Sequence, residues 1–146
     1  MDKKDESILE LLKENCRLTT KEMAKKLNSP ITTIHNRIKK LENQGIIKGY
    51  HAILDNKKIG KPIAAYILAT VDYGFLKQTK LSQEQLADKL KSKSEVEEAA
   101  TVTGGTDILI KVRVSTIEEL NEFVTIQLRN IKGIDKTQTM VILSEA

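Results

Sequence analysis

Hydrophobic positions in the first 45 residues recur every three or four places, the spacing of one helix face. Ile8, Leu11 and Leu12, with Leu9 beside them, make the first group; Asp2 stands before it as an N-cap, and the pattern runs out near Asn15. Thr19-Thr20-Lys21-Glu22 reads as a capping box, in which the Thr19 hydroxyl accepts from a first-turn N–H and Glu22 reaches back. The short helix after it turns Met23, Ala24 and Leu27 inward. Asn28-Ser29-Pro30 breaks the pattern, and Ser29 is placed to cap a third helix with Pro30 in its first position. That helix runs to about Gln44, with Ile31, Ile34, Ile38 and Leu41 inward and Gly45 as its stop. Three helices in so short a stretch, the last two separated by a tight turn, are the pattern of a helix-turn-helix unit.

Beyond Gly45 the period changes. Ile46 to Asp55 reads as extended and Asn56-Lys57-Lys58-Ile59-Gly60 as a turn. The expected domains are therefore residues 1–50, an extended linker or hinge over 51–60, and residues 61–146. Ile63 to Asp72 reads as a strand with apolar residues on both faces. Ser82 caps a helix with Leu86, Ala87 and Leu90 inward, and Val96 to Val102 is a second strand. Gly104-Gly105-Thr106-Asp107 is a turn, and Ile108, Ile110, Val112 and Val114 then alternate with Lys111 and Arg113. Thr116 caps a helix with Ile117, Leu120, Val124, Leu128 and Ile131 on one face; Gly133 stops it, and Ile134 to Leu143 is the last strand. The order β-α-β-β-α-β is the split βαβ, or ferredoxin-like, pattern. The predicted fold class is α+β: an N-terminal three-helix helix-turn-helix (winged-helix-like) domain followed by a C-terminal βαββαβ ferredoxin-like domain. With both helices on one side of a four-stranded sheet, Ala64, Tyr66 and Leu68, or their alternates, would face water, so a second subunit is expected to cover them.

Composition narrows the function classes. The chain has 146 residues, 40% hydrophobic and 30% charged, enough apolar material for a core and too much for a disordered chain. No apolar run approaches the ~20 residues of a membrane-spanning helix, and Met1-Asp2-Lys3-Lys4-Asp5 lacks the apolar core of a secretory signal. Cys16, the one cysteine, leaves no internal disulfide and no Cys-built zinc site, and is expected to fill the core. A reduced, cytoplasmic setting is expected, with no membrane partner. Charge is unevenly placed: residues 1–60 hold 13 Lys/Arg against 8 Asp/Glu, whereas residues 61–146 hold 11 against 12. The stretch 17–48 holds 8 basic and 2 acidic residues, which points to a polyanion partner for the N-terminal half.

The third helix carries the chemistry for such a partner. With its isoleucines inward it turns Thr32, Thr33, His35, Asn36, Arg37, Lys39 and Lys40 outward. Arg can bond guanine edges bidentately, Asn can bond adenine, and Thr can meet a thymine methyl or a phosphate. Lys21, Lys25, Lys26, Lys39 and Lys40 suit phosphates, and the helix start at Pro30 to Thr32, with Ser29 before it, favours an anion. No Cys, His or Asp cluster stands at metal-ligand spacing around His35 or His51. No nucleophile–base pair is legible, so no catalytic residue, metal or cofactor is expected and an enzyme is set aside.

These residues resemble the leucine-responsive/asparagine-operon regulators, the Lrp/AsnC or feast-famine family. The matching stretches are Asp2-x-x-Asp5-x-x-Ile8-Leu9-x-x-Leu12 and Arg17-Leu18-Thr19-x-x-Glu22-Met23-Ala24-Lys25-Lys26-Leu27. They continue with Thr32-x-Ile34-x-x-Arg37-Ile38-Lys39-Lys40-Leu41-Glu42 and Gly45-Ile46-Ile47-Lys48-Gly49-Tyr50. In the second half they are Val102-Thr103-Gly104-Gly105-Thr106-Asp107, the strand Ile108 to Val112, and Thr137, Thr139, Val141, Ile142 and Leu143. Two places depart from the family: Pro30 stands where Ser is common, with Ser29 one place earlier, and Thr106 replaces the aromatic residue of the turn. The resemblance implies a DNA-binding transcription regulator that dimerises through its C-terminal sheets and often forms tetramers, octamers or higher assemblies. It also implies an amino-acid or related small effector bound near the turn after the second sheet strand. On this sequence that places Thr103, Gly104, Gly105, Thr106 and Asp107 at the effector site, with Thr137 and Thr139 on the neighbouring last strand. Asp107 could hold an ammonium, and the glycine N–H groups could meet a carboxylate.

The expected function is thus sequence-specific binding to double-stranded DNA by a symmetric oligomer, with Lys21, Ser29, Thr32, Thr33, His35, Asn36, Arg37, Lys39 and Lys40 at the interface. The alternative is a small-molecule sensor or assembly module whose basic half binds a protein partner.

Overall fold

The computed structural model describes residues 1–145 and divides the chain into two units, Met1–Ile53 and Leu54–Ala146. In the first, α1 (Lys3–Glu14) starts at Asp2, whose Oδ1 accepts from the N–H groups of Lys4 and Asp5, both at 2.9 Å. Asp5 Oδ2 accepts from the Asp2 N–H at 3.2 Å, which completes a capping box. α2 (Thr20–Lys26) starts with the expected box: Glu22 N–H donates to the Thr19 hydroxyl, and Thr19 N–H donates to Glu22 Oε2. Asn28 takes a left-handed conformation (φ 45°), which Asn tolerates, and α3 (Ile31–Asn43) follows. Gly45 (φ 68°) ends it, and the N–H groups of Ile46 and Ile47 donate back to the Leu41 carbonyl.

The expected core of this unit forms from Ile8, Leu12, Met23, Ala24, Ile34 and Leu41, ringed by Leu9, Leu11, Leu18, Leu27, Ile38 and Ile47. Four details differ from expectation. Ser29 does not cap α3: the helix begins one residue later, and its hydroxyl donates back to the Leu27 carbonyl at 3.0 Å. Ile31, at the first turn, stands outside the buried cluster and is 50% exposed. Cys16 is half-buried at the rim, its Sγ 3.9 Å from the His51 carbonyl oxygen. Residues 46–55 pair with no strand among the described residues, because the only sheet is built wholly from the second unit.

The second unit runs β1 (Ile63–Val71), α4 (Tyr73–Thr79), α5 (Gln83–Lys91), β2 (Val96–Thr101), β3 (Ile108–Val114), α6 (Ile117–Glu122) and β4 (Ile134–Val141). The sheet order is β2-β3-β1-β4, with every neighbouring pair antiparallel. This is the expected βαββαβ arrangement with one added helix, α4, which Asp72 caps by accepting from the Phe75 N–H at 2.9 Å. Ser82 and Thr116 cap α5 and α6 as expected. α6 continues into a π-helical turn, Phe123–Leu128. That turn changes the inward set: Phe123 and Leu128, five residues apart, are both fully buried, while Ile117, expected inward, is 52% exposed.

Ala65, Ile67 and Ala69 of β1 lie opposite Val112, Ile110 and Ile108 of β3, and all six pack with Leu86, Leu90, Leu120, Phe123 and Leu128. The other sheet face carries Tyr66 and Leu68 opposite Lys111 and Leu109, with Met140 and Gln138 beyond them on β4. Tyr66, Leu68 and Leu109 are half-buried and Met140 is 44% exposed, and no helix among the described residues packs over that face. Ala64 differs from expectation in being buried. Arg113 stands opposite it, and the chain continues past β4 along β1, Ile142 N–H donating to the Ala64 carbonyl at 2.8 Å.

Candidate functional site

The two inward positions Ile34 and Leu41 fix which side of α3 is free. Thr32, His35, Asn36, Lys39 and Lys40 are exposed on the other side, and Thr33 is half-buried beside Asn36 and Lys40 in a shallow groove. Lys21, Lys25 and Lys26 are exposed on α2. The two acids of the 17–48 stretch are exposed and hydrogen-bonded within the unit. Glu22 is tied to Thr19, which holds its carboxyl below the usual range, and Glu42 accepts from the Tyr50 hydroxyl at 2.9 Å. Burial, and then the carboxylate of Glu42, push the Tyr50 hydroxyl up to about 12. The lysines of α2 and α3 therefore face solvent without a carboxylate among their ion pairs within the described residues.

Arg37 is placed differently from expectation. Its Nη1 donates to Asp2 Oδ2 and to Asp5 Oδ1, each at 2.7 Å, so the guanidinium faces the start of α1 and not open solvent. Asp5 is buried, its side chain 7% exposed. The Arg37 guanidinium, with the backbone bond from Asp5, holds the Asp2 carboxyl down at about 2. The same guanidinium lowers Asp5, and the two carboxylates raise Arg37. Distance along the chain, 35 and 32 residues, hid this cluster from sequence reading; Asp5 at the third position of a capping box was its only local signal.

The second candidate site is the turn between β2 and β3. Gly104 adopts φ 113°, and Thr103, Gly104 and Gly105 are exposed. Asp107 anchors the turn: Oδ2 accepts from the Val71 N–H at 2.9 Å, and Oδ1 accepts from the Tyr73 hydroxyl at 2.5 Å. Gln83 donates to the same hydroxyl at 2.7 Å, and the bond to Asp107 raises Tyr73 above its ordinary value. Asp107 thus ties the turn to β1 and α4, each of its oxygens already accepting one bond. Tyr73 was missed in the sequence because α4 itself was, and Gln83, at the start of the expected helix α5, was missed because its partner Tyr73 lies ten residues upstream. Thr137 and Thr139 also sit otherwise than expected. They lie opposite Ala69 and Ile67 on β4, half-buried, and β1 separates them from β3 and its turn.

A family model described as the Lrp/AsnC ligand binding domain matches residues 65–146, and one described as winged helix-turn-helix DNA-binding matches residues 1–48. The chain belongs to the Lrp/AsnC family. It is 38% identical to an HTH-type transcriptional regulator of Pyrococcus horikoshii over 97% of this chain and 91% of that one. It is 33% identical to the regulatory protein AsnC of Haemophilus influenzae over 97% of this chain and 90% of that one. Among solved structures it is similar to a transcriptional regulator of Neisseria meningitidis in complex with L-Met, with a TM-score of 0.87 and 28% identity over 99% of this chain and 91% of the other. As an Lrp/AsnC-type helix-turn-helix transcription regulator, the chain carries its DNA-binding match on the unit whose α2 and α3 expose lysines. Its ligand-binding match falls on the unit that holds the Gly104-Gly105 turn. No helix is long and apolar enough to cross a membrane, and no group of three or more His, Cys, Asp or Glu stands at metal-binding distance, among the described residues.

Proposed function

We propose that the chain binds double-stranded DNA by laying α3 in a major groove, with Thr32, Thr33, His35 and Asn36 at base edges and Lys21, Lys25, Lys26, Lys39 and Lys40 on phosphates. The observation that carries this reading is the five exposed lysines of α2 and α3, none of them in an ion pair among the described residues. Two copies of α3, roughly 34 Å apart, would read a pseudo-palindrome. The pairing would come from the uncovered sheet face, where Tyr66, Leu68, Leu109 and Met140 form an apolar patch that a second copy can bury.

The effector in this reading is an amino acid bound at the Thr103–Asp107 turn. The regulator of Neisseria meningitidis seen with L-Met supports that ligand class. The exposed backbone of Gly104 and Gly105 suits a carboxylate, and an ammonium would contend with Tyr73 for Asp107. Such a ligand changes DNA binding only if it binds one assembly state more tightly than another. Genomic footprinting with the purified full chain, with and without mixed amino acids, tests the whole reading. It should return sites of two-fold symmetry whose occupancy falls steeply with salt. Absence of protected sites at low salt would refute it.

A further inference from the structure

We propose that Arg37 does not touch DNA but is a positioning residue: with Asp2 and Asp5 it pins α3 to the start of α1 and so sets the angle at which Asn36 and its neighbours meet base edges. The inference rests on the reading that α3 faces DNA.

The cluster is closed on itself. Of the four carboxylate oxygens, Asp2 Oδ1 accepts the cap bonds and Asp5 Oδ2 accepts the Asp2 N–H; the remaining two accept from Arg37 Nη1. Each carboxylate is therefore fixed by the backbone of α1 before it meets the guanidinium. The pins hold Arg37 at the N-cap and first turn of α1. Its side chain is 29% exposed and that of Asp5 is 7% exposed.

Releasing Arg37 toward a base would leave the Asp5 carboxylate buried without its counter-ion, a state that proteins avoid strongly. The local charge argues the same way: two carboxylates outweigh the one guanidinium they hold, so Arg37 offers a phosphate no uncompensated charge. Thr33, Asn36 and Lys40 border the same shallow groove as Asp2 and Arg37, so a shift of the pin moves the residues assigned to readout.

The test uses the full chain and a duplex chosen by in vitro selection with the wild-type protein. Arg37→Lys and Asp5→Asn, each checked for folding by circular dichroism, are titrated against that duplex, a scrambled duplex and a panel of single base-pair changes, at several salt concentrations. If Arg37 is a pin, both variants lose selected-site affinity by roughly 5- to 150-fold, the loss expected of about one mismatched base pair. The loss is spread over the panel, and the salt slope is unchanged. Asp5→Asn is the sharper arm, because removing an acid should otherwise strengthen binding to a polyanion. Lys39→Ala serves as the control and lowers the slope by about 1 for each copy engaged.

The inference is overturned if Arg37→Lys relaxes discrimination at one base pair only while Asp5→Asn binds as wild type. One arm needs no variant: the Arg37 guanidinium NMR resonance of the wild-type protein stays in place on adding the selected duplex if the pin holds, and moves if Arg37 turns to the DNA. A wild-type protein that selects no duplex at all refutes the DNA-binding reading itself.

Discussion

Gly133 offers a direct measure of how the last connection of the C-terminal unit is held. It sits between the π-helical turn and β4 at φ 103°, beyond the left-handed well that Asn or Asp can occupy. A Cβ built there would lie 3.3 Å from a Leu76 methyl, 3.4 Å from a Leu86 methyl and 3.5 Å from the Phe75 ring. Gly133→Ala therefore combines backbone strain of ~1–3 kcal/mol with a crowded contact whose cost reaches about 1 kcal/mol. Against these stands the unfolded-state gain of an alanine, ~0.4–1 kcal/mol. The net expectation is a loss of about 1–3 kcal/mol. Gly105→Ala is the matched control: its φ is not positive and nothing lies within 4 Å of the added Cβ, so only the unfolded-state gain acts.

The assay is urea unfolding at fixed protein concentration, followed by far-ultraviolet circular dichroism, because an oligomer's midpoint depends on concentration. Tyrosine fluorescence adds a second probe in a chain with no Trp; Tyr66 and Tyr73 report on the C-terminal unit. A Gly133→Ala midpoint equal to that of the wild type would refute the strained geometry assigned to this turn. A Gly105→Ala midpoint that falls as far would show that glycine loss, not local geometry, is being measured.

Acid should loosen both units. The carboxyls of Asp2 and Glu145 are held near 2, by Arg37 in one unit and by Arg113 with Lys111 in the other, so the stability they contribute is present above about 4 and is lost as pH falls from there toward 2. Thermal melts between pH 5 and pH 2 should show that decline, and Asp2→Asn should flatten it in the N-terminal unit; a flat profile in the wild type would contradict the ion pairs of Asp2 and Glu145. Leu68→Glu places a charge in the middle of the uncovered sheet face. Sedimentation should then shift from oligomer to monomer with the fold intact, and an unchanged distribution would remove that face as the interface. Phe123→Ala empties a fully buried site in the π-helical turn and should cost ~3–5 kcal/mol by chemical denaturation; a loss below about 1 kcal/mol would mean that the turn repacks as an ordinary helix.

Local chemistry was legible and distant chemistry was not. The caps at Asp2, Thr19 and Ser82 involve partners two or three residues apart, so the sequence alone places them, although it showed the reciprocal bond of a box only at Thr19. The inward faces of α1 and α5 follow from ordinary helical spacing. α4 escaped because its seven residues bury only Leu76 and include Gly74, too little to show a period. The π-helical turn escaped because it moves the spacing to five, which a search at three and four assigns to Ile117 and Val124 in place of Phe123. The Thr103–Asp107 turn was found by its glycines, yet the bonds that fix Asp107 come from Val71 and Tyr73, more than thirty residues upstream.

The same distinction bears on how charge should be read. The stretch 17–48 carries a formal +6 in the sequence, and every cation in it counts equally there. In the folded unit they are not equal. Arg37 is matched by two carboxylates that lie outside the stretch, at positions 2 and 5, and its charge is compensated before a phosphate arrives. The lysines of α2 and α3 have no such partners among the described residues, and the two acids within the stretch are occupied by Thr19 and Tyr50. In the proposed DNA-binding reading the lysines set the steering field, while the guanidinium that looks most like a base reader holds the helix still. Compensation at Arg37, midway along α3, and the unpaired lysines on its exposed side follow from one arrangement: the acids of α1 hold the helix, and the five lysines of α2 and α3 outnumber Glu22 and Glu42 beside them.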